Sequence, residues 1–348
     1  MSTPIVTWAD AARAQAFDRW LADVAPAHGL RPETLVPASA DASFRRYLRI
    51  QSAHGTRIIM DAPPPLEDVR PFLHVAALIE RAGLHGPHVL AADTAQGFVL
   101  LSDLGQRLYL AALQDPACSA EQTDGLMRDA VRALVQWQVN VAADTLPPYD
   151  DALLRRELAL FPEWCVQREY GVQWTAAQQA SWQTLCDHLV ASALAQPTVA
   201  VHRDWMPRNL MVADPNPAIL DFQDAVRGPI TYDMASLLRD AFISWDEERE
   251  LDWGVRHWQA ARAAALPVAE DFGAHWRALE WMGLQRHLKV MGIFCRLKHR
   301  DGKPHYVADL PRFFTYARKV ALRYAPLKPL LPLLEQLDGG QTRAGYTF

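Results

Sequence analysis

The chain has 348 residues, more than a single hydrophobic core usually organises, and this length predicts two lobes or domains. Its composition, 50% apolar and 22% charged, is typical of globular proteins and excludes a disordered chain. The formal net charge of −5 provides no general attraction to nucleic acid or to an anionic membrane, so an anionic ligand would need a local basic patch.

The first 24 residues lack the basic start and apolar core of a secretory signal, and they predict a helix capped by Thr7. No apolar run is long enough to span a membrane. Four cysteines occur without a C-x-x-C pair, which excludes a disulfide framework and a zinc cluster and favours a reducing compartment. We therefore expect a soluble cytoplasmic protein without membrane or nucleic-acid partners. The sequence leaves protein partners and oligomeric state open.

The first hundred residues carry the strand patterns. Short β-branched or aromatic runs lie at 44–50, 57–60 and 98–101, separated by turn residues. A helical pattern at 67–84, ended by Gly83, lies between the last two runs. The order strand, strand, helix, strand predicts a small antiparallel sheet with a helix packed on it, an α+β arrangement.

Beyond residue 106 the pattern is mostly helical. Trp, Leu and Ala recur at steps of three and four from 107 to 195, and helical periodicity returns after residue 230. The sequence therefore predicts two lobes and a short connection between them. They are a β-rich N-terminal lobe, a hinge and a larger helical C-terminal lobe, at 1–101, 102–106 and 107–348.

A loop in the helical part carries the pattern H-x-D-x-x-x-x-N, at residues 202–209. Pro207 forbids a regular helix there, and Asp221 follows a second apolar run, so three oxygen-bearing side chains are expected to converge. Phosphoryl transfer needs such a set, with Asn209 and Asp221 holding Mg²⁺ and Asp204 accepting the proton of the attacking hydroxyl.

The simpler interpretation of this loop is a turn, because Asp and Asn favour turns for local hydrogen-bonding reasons. The full pattern favours the phosphotransferase hypothesis, because it adds Asn209, Asp221 and the segment 228–235 to a common H-x-D. His202 follows an apolar Val201, and we expect it to orient the loop backbone.

The segments HRDWMPRN, ILDFQDA and GPITYDMASLLRD resemble the aminoglycoside phosphotransferase and choline kinase superfamily. This resemblance implies a protein-kinase-like bilobal fold and ATP as co-substrate. It also implies Asp204 as catalytic base, Asn209 and Asp221 as Mg²⁺ ligands and Asp233 as a structural acid that supports the loop. Residues 100–103 would form the hinge that binds adenine through backbone groups, which makes Leu100 and Ser102 candidates.

The chain departs from the protein-kinase pattern in the segments that would bind the phosphates of ATP. The segment 38–47 lies where a glycine-rich loop is expected but lacks glycine, although Ser39 and Ser43 could present hydroxyls and amides. Met60 stands where the strand lysine is expected, and the helix that follows lacks an early glutamate. Arg45 or Arg46 could replace the lysine, because consecutive strand residues face opposite sides. A nucleotide-binding pseudokinase therefore remains an alternative.

Further segments, among them DASFRRY, MDAPPP, LSDLG and MGLQRHLKVMGIFCRLKHRDGK, look like the bacterial anomeric kinases of N-acetylmuramate and N-acetylglucosamine. This resemblance implies phosphorylation of the C1 hydroxyl to give a sugar 1-phosphate in peptidoglycan recycling. Nothing in the residue spacing reports the phosphorylated position. A kinase for another small alcohol, such as an aminoglycoside or choline, remains open.

The helical pattern at 281–300 carries a stripe of basic residues. This stripe helps to distinguish between the possible classes of substrate. A cationic aminoglycoside would favour an acidic pocket, whereas the lactyl carboxylate of a sugar acid would favour a cation. Arg286 and Lys289, beside Gln285, are candidates to bind that carboxylate. Further substrate-binding candidates are Arg208, Asp224 and Arg239, although Asp224 could equally pair with Arg227.

Overall fold

The computed structural model describes residues 6–8, 10–40, 44–64 and 66–337, with the side chains of residues 39 and 40 left out. The chain forms two compact units. The sheet unit comprises Met1–Cys118 and Arg208–Ala225, and the helical unit comprises Ser119–Pro207 and Val226–Phe348. The lobe boundary expected at 102–106 stays a prediction.

The strands are β1 (Leu30–Ala40), β2 (Arg46–Ser52), β3 (Gly55–Asp61), β4 (Val89–Asp93), β5 (Phe98–Ser102), β6 (Thr198–Val201), β7 (Leu210–Met211), β8 (Ala218–Ile219) and β9 (Val226–Pro229). The first five form an antiparallel sheet in the order β1-β2-β3-β5-β4. In the sheet unit β7 also pairs with β8, and in the helical unit β6 pairs with β9.

The helices are α1 (Ala11–His28), α2 (Arg70–Arg81), α3 (Tyr109–Gln114), α4 (Ala120–Asn140), α5 (Asp151–Leu158), α6 (Ala176–Leu194), α7 (Tyr232–Leu238), α8 (Glu247–Ala263), α9 (Phe272–His299), α10 (Leu310–Arg323) and α11 (Leu330–Glu335). A π-helix spans Phe161–Glu169. Within the described residues, no helix is both long and apolar enough to cross a membrane.

The core of the sheet unit lies between α1 and the sheet. Phe17 and Trp20 of α1 pack on Phe98 of β5, with ring centroids 5.5 and 5.3 Å apart. The predicted runs at 44–50, 57–60 and 98–101 correspond to β2, β3 and β5, and the predicted helix corresponds to α2. Helix α1 begins after Asp10, whose carboxylate accepts from the amide of Ala12, so the expectation of Thr7 as its cap was wrong.

Local capping signals define the helices of the helical unit. Ser119 with Gln122 and Thr175 with Gln178 form capping boxes at the starts of α4 and α6. The Asp271 side chain caps α9, which runs through the centre of this unit. Every residue of α9 from 279 to 292 is buried, so Arg286 and Lys289 of the expected basic stripe lie inside the fold, whereas Arg300 is exposed.

Candidate active site

Asp233, in the first turn of α7, binds the backbone of the loop that follows β6. Its two carboxylate oxygens accept hydrogen bonds from the backbone amides of His202 and Arg203, at 2.7 and 2.9 Å. His202 is buried, and its Nδ1 lies 3.3 Å from the amide nitrogen of Asp204. These contacts agree with the roles expected of His202 and Asp233, namely support of the loop backbone.

Asp233 and Asp204 have opposite electrostatic environments. Burial raises the pKa of the Asp233 carboxyl to about 7, although its two amide donors favour the ionised form. Burial also acts to raise the pKa of Asp204, but the positive charges of Lys289, Arg286 and Arg203 outweigh it and hold that pKa below its usual value. Asp204 is therefore ionised at neutral pH.

Asp204 remains open to solvent, with 39% of its side chain exposed. Arg286 of α9 places its Nη2 atom 3.4 Å from the Asp204 Oδ1 atom, which is a long contact for an ion pair with hydrogen-bond geometry. An ionised, partly exposed carboxylate can accept a proton from an incoming hydroxyl. Asp204 therefore has the charge and the exposure that the predicted general base requires, and its role stays a prediction.

A second buried carboxylate, Glu157 of α5, lies beneath the same loop. Its Oε1 atom is 2.5 Å from Nη2 of Arg203 and 3.0 Å from Nζ of Lys289. The Tyr149 hydroxyl donates a hydrogen bond to its other oxygen, and Lys289 also contacts the hydroxyl of Tyr232, at 3.1 Å. Burial acts to raise the pKa of Glu157, but Lys289 and Arg203 lower it overall, so the carboxylate is charged.

Glu157 has no signal in the sequence, because a lone glutamate in a helical pattern is typical of a solvated face. Lys289, predicted to bind substrate, is instead buried in the ion pair with Glu157. The role expected for Lys289 would require this pair to separate.

In the sheet unit, the pairing of β7 with β8 brings Asn209 close to Asp221. The carbonyl of Asn209 accepts from the amide of Leu220 at 2.9 Å, and its side-chain Nδ2 lies 3.4 Å from Asp221 Oδ2. Asp221 adopts a left-handed backbone conformation, with φ of 59°, which is uncommon for a residue other than glycine. Gln223 donates to the other carboxylate oxygen at 2.9 Å.

The chemistry of this pair fits Mg²⁺. One carboxylate and one amide oxygen are hard ligands, and Mg²⁺ in nucleotide enzymes usually takes one or two carboxylates and completes its shell with phosphate and water. Among the described residues, His, Cys, Asp and Glu side chains form no group of three that could hold a metal by themselves. A metal held by Asn209 and Asp221 would complete its shell with oxygens of phosphate and water.

The two arginines after the expected phosphate loop contact different carboxylates. Arg46 binds Asp61 through Nε and Nη2, at 3.0 and 2.6 Å. The Nε atom of Arg45 lies 3.6 Å from Glu67, which precedes α2. Because Arg46 shares the buried Asp61 with Arg13, Arg45 is the better candidate to replace the missing lysine.

Three of the remaining nucleotide candidates, Leu100, Ser102 and Ser39, lie on strands of the sheet. Leu100 of β5 pairs with Ile59 on one side and Ala91 on the other, which commits its backbone polar groups to the sheet. Ser102 ends β5, and its hydroxyl accepts from the amide of His88. Ser39 belongs to β1, although its side chain is not described, and Ser43 lies outside the described residues.

The remaining substrate candidates have different environments. Arg239 is fully buried and binds Glu250 and Glu280 at 3.2 and 2.8 Å, so a contact with sugar hydroxyls would require this buried network to open. Gln285 is also buried, and its amide donates to the Leu154 carbonyl. Arg208 is half-buried, whereas Asp224 is exposed and lies beside Gln223.

The comparison with known families agrees with these features. A model of the phosphotransferase enzyme family (APH) matches residues 34–282. The chain belongs to this family. The match includes Asp204, Asn209 and Asp221, and it confirms the resemblance on which the sequence analysis relied.

Close relatives cover most of the chain and share one name. The N-acetylmuramate/N-acetylglucosamine kinase of Pseudomonas putida is 52% identical over 307 residues, which are 88% of this chain and 89% of the relative. The protein of the same name from Pseudomonas aeruginosa is 48% identical, over 95% of this chain and 98% of the relative. That of Neisseria meningitidis serogroup B is 48% identical, over 94% and 97%.

Solved structures show the same fold at low sequence identity. Aminoglycoside phosphotransferase APH(2'')-Ib, in an ADP-bound crystal structure, has a TM-score of 0.56 at 13% identity, covering 87% of this chain and 96% of that chain. The ethanolamine kinase of Plasmodium vivax has a TM-score of 0.58 at 9% identity, covering 87% and 84%. The predicted protein-kinase-like α+β fold is confirmed.

Proposed function

We propose that this protein is an ATP-dependent kinase that phosphorylates the anomeric C1 hydroxyl of N-acetylmuramate and N-acetylglucosamine, which gives the sugar 1-phosphate. The reaction would take place in the cytoplasm, as a step of peptidoglycan recycling. The ionised, partly exposed Asp204 on a loop supported by Asp233 carries this proposal. The names of relatives at 48–52% identity support the choice of sugars. The four cysteines form no disulfide among the described residues, in keeping with a reducing compartment.

Asp204 would accept the proton of the sugar hydroxyl as the oxygen attacks the terminal phosphate of ATP. An anomeric hydroxyl is more acidic than an ordinary alcohol, so a carboxylate with a lowered pKa still suffices as a base. Asn209 and Asp221 would hold Mg²⁺. When bound, the metal would offset the negative charge of the phosphates.

We propose that Arg45, beside Glu67, faces the nucleotide phosphates in place of the lysine that Met60 replaces. Met60 is fully buried in β3, so this position belongs to the core. Ser39, Ser43 and Ser102 stay predictions for nucleotide contacts. For Leu100, the pairing on both sides in the sheet weighs against the contact with adenine.

On the sugar side, we propose that Arg286 binds the lactyl carboxylate of N-acetylmuramate. The Arg286 side chain is only 2% exposed, and its buried Nε and Nη1 atoms have no hydrogen-bond partner among the described residues, so a carboxylate that reaches them would satisfy two unpaired donors. Lys289 is paired with the buried Glu157, and Arg239 is paired with the buried Glu250 and Glu280. We propose that these two cations stabilise the fold around the site through these pairs. Arg208, Asp224 and Gln285 stay predictions for contacts with sugar hydroxyl or acetamido groups.

Phosphorus NMR of ATP, Mg²⁺ and a panel of amino sugars, aminoglycosides and choline tests this proposal. We expect a new sugar 1-phosphate signal with the wild-type protein, and a rate about 10² to 10⁴ times lower with Asp204→Asn. Asp252→Asn, which removes an exposed carboxylate paired with Arg256, is the control and should retain activity.

The product identity decides between the alternatives. A sugar 6-phosphate would contradict the anomeric assignment but not the kinase. Turnover of aminoglycosides or choline alone would contradict the choice of amino sugars. Absence of turnover on every acceptor would contradict the kinase and favour a nucleotide-binding protein without catalysis.

A further inference from the structure

Arg203, the residue before the proposed base, has an unusual backbone. Its φ is 77°, in the left-handed region that residues other than glycine rarely adopt. Such a conformation persists only where surrounding contacts hold it, and it occurs often at functional sites. The contacts that hold Arg203 therefore determine where Asp204 points.

Two carboxylates hold Arg203, one for the backbone and one for the side chain. Asp233 accepts the amide of Arg203 at 2.9 Å, and Glu157 of α5 binds its guanidinium at 2.5 Å. Glu157 is itself fixed, because its side chain is only 7% exposed and because Tyr149 and Lys289 also bind it. Asp233, Glu157 and Lys289 lie on three different helices of the helical unit, α7, α5 and α9.

We infer that Glu157 is a positioning residue of the catalytic loop. Its charge neutralises Arg203 and Lys289, two of the cations around Asp204, and its fixed position keeps Arg203 in the left-handed conformation. Glu157 binds Arg203, which directly precedes the proposed base in the chain, so Glu157 acts on the position of Asp204 through Arg203. This inference rests on the proposed function only for its kinetic consequence, since the effect on the loop is independent of the substrate.

Glu157→Gln tests the inference, because it keeps the size of the side chain and removes the charge. Misplacing a catalytic group by about 1 Å can cost on the order of 100-fold in rate, and we expect kcat to fall by about 10- to 100-fold. Because Glu157 is not expected to contact either substrate, the KM values for ATP and sugar should change by no more than about twofold.

Glu169→Gln is a matched control. Glu169 ends the π-helix, is part-buried and binds Lys298 and His299, both at 2.7 Å, so its neutralisation also weakens two side-chain contacts of a part-buried carboxylate. An equal loss of kcat in both variants would overturn the inference, because it would show a general structural effect. Unchanged kcat in Glu157→Gln, with the wild type active, would overturn it as well.

Amide hydrogen exchange gives a second readout that needs no activity. The amides of His202 and Arg203, which donate to Asp233, should exchange faster in Glu157→Gln and at the wild-type rate in Glu169→Gln. If the wild type transfers no phosphate, the proposed function fails, while this exchange comparison still decides the role of Glu157. Unchanged exchange would overturn the inference.

Tyr149→Phe covers the case in which Glu157→Gln does not fold. It retains the ring, which packs edge-on against Tyr232 at 5.4 Å, and removes only the hydroxyl that donates to Glu157. We expect faster exchange at His202 and Arg203 and a smaller loss of kcat. Wild-type exchange at both amides in this variant would contradict the inference.

Discussion

At the scale of single residues, the site depends on two aspartates with different environments. Asp204 is surrounded by cations and has a lowered pKa, whereas Asp233 is buried and has a pKa raised to about 7. Opposite shifts in neighbouring acids commonly separate a catalytic group from a supporting one. Here the ionised member is the exposed one, which suits a base, and the buried member binds backbone amides.

Arg286→Gln tests the electrostatic part of this arrangement. Removing the cation beside Asp204 should raise the pKa of this base, so the acid limb of kcat/KM should move to higher pH. We expect kcat/KM to begin its fall at a higher pH in the variant than in the wild type as the pH is lowered. The measurement is kcat/KM for N-acetylglucosamine, which lacks a carboxylate, as a function of pH.

Lys298→Gln, near the C-terminal end of α9, is the control for this prediction. Lys298 binds Glu169, and its loss should leave the pH dependence of kcat/KM in place. A shift of the acid limb to lower pH in Arg286→Gln would contradict the assignment of Asp204 as the base.

At the scale of elements, the strands with short apolar, β-branched or aromatic runs were predictable, including β6 and β8 on either side of the motif loop, whereas β1 was not. The runs that became β2, β3 and β5 bury apolar residues such as Ile50, Ile59 and Leu100. Strand β1 was missed because Pro32 and Pro37 interrupt its pattern, and the register of its pairing with β2 shifts at two places to accommodate them. The sequence alone gives no local signal for such a strand.

The position of α9 depends on Gly292, and this dependence is testable. A Cβ atom at Gly292 would lie 2.4 Å from the carbonyl carbon of Leu160, so Gly292→Ala must displace backbone next to the π-helix. Overpacking of this kind costs about 1–3 kcal/mol, which exceeds the gain of about 1 kcal/mol in helix propensity. We expect a lower free energy of unfolding, measured by urea denaturation.

Gly125→Ala in α4 is the matched control, because a Cβ atom there meets nothing within 4 Å among the described residues. This variant gains helix propensity without a clash and should be more stable by about 0.5–1 kcal/mol. Equal stabilisation in both variants would contradict the close approach of α9 to Leu160.

At the scale of the whole molecule, distance along the chain decides what the sequence can predict. Asp204, Asn209 and Asp221 lie within 18 residues, and their convergence stays a prediction, while within the sheet unit the structure brings Asn209 close to Asp221. The partners of the basic residues on α9 were not predictable, because Glu157 lies 132 positions before Lys289 and only the folded chain brings them together. Local periodicity shows which residues share one face of a helix. The charged residues that lie opposite this face come from elements that are distant in the sequence.

Buried ionisable groups of the helical unit also set how the stability of the fold depends on pH. Burial lowers the pKa of His257 to about 3, with a further contribution from His275, and burial lowers that of His275 to about 4. Their rings lie 5.7 Å apart and nearly parallel. Both are neutral in the folded state across a range in which an unfolded histidine becomes charged. Asp233 acts in the opposite direction, because its raised pKa favours the folded state as pH falls below 7.

The contribution of the histidines is present above pH 6.5 and is lost as pH falls from 6.5 towards 4. Each histidine should lower the free energy of unfolding by about 1.4 kcal/mol per pH unit there. Comparing variants cancels the effect of Asp233, so the double variant His257→Gln/His275→Gln should depend less steeply on pH than the wild type in urea denaturation at pH 7, 6 and 5. The exposed His188→Gln is the control. Equal pH dependence in wild type and double variant would show that these two histidines are not kept neutral by the fold.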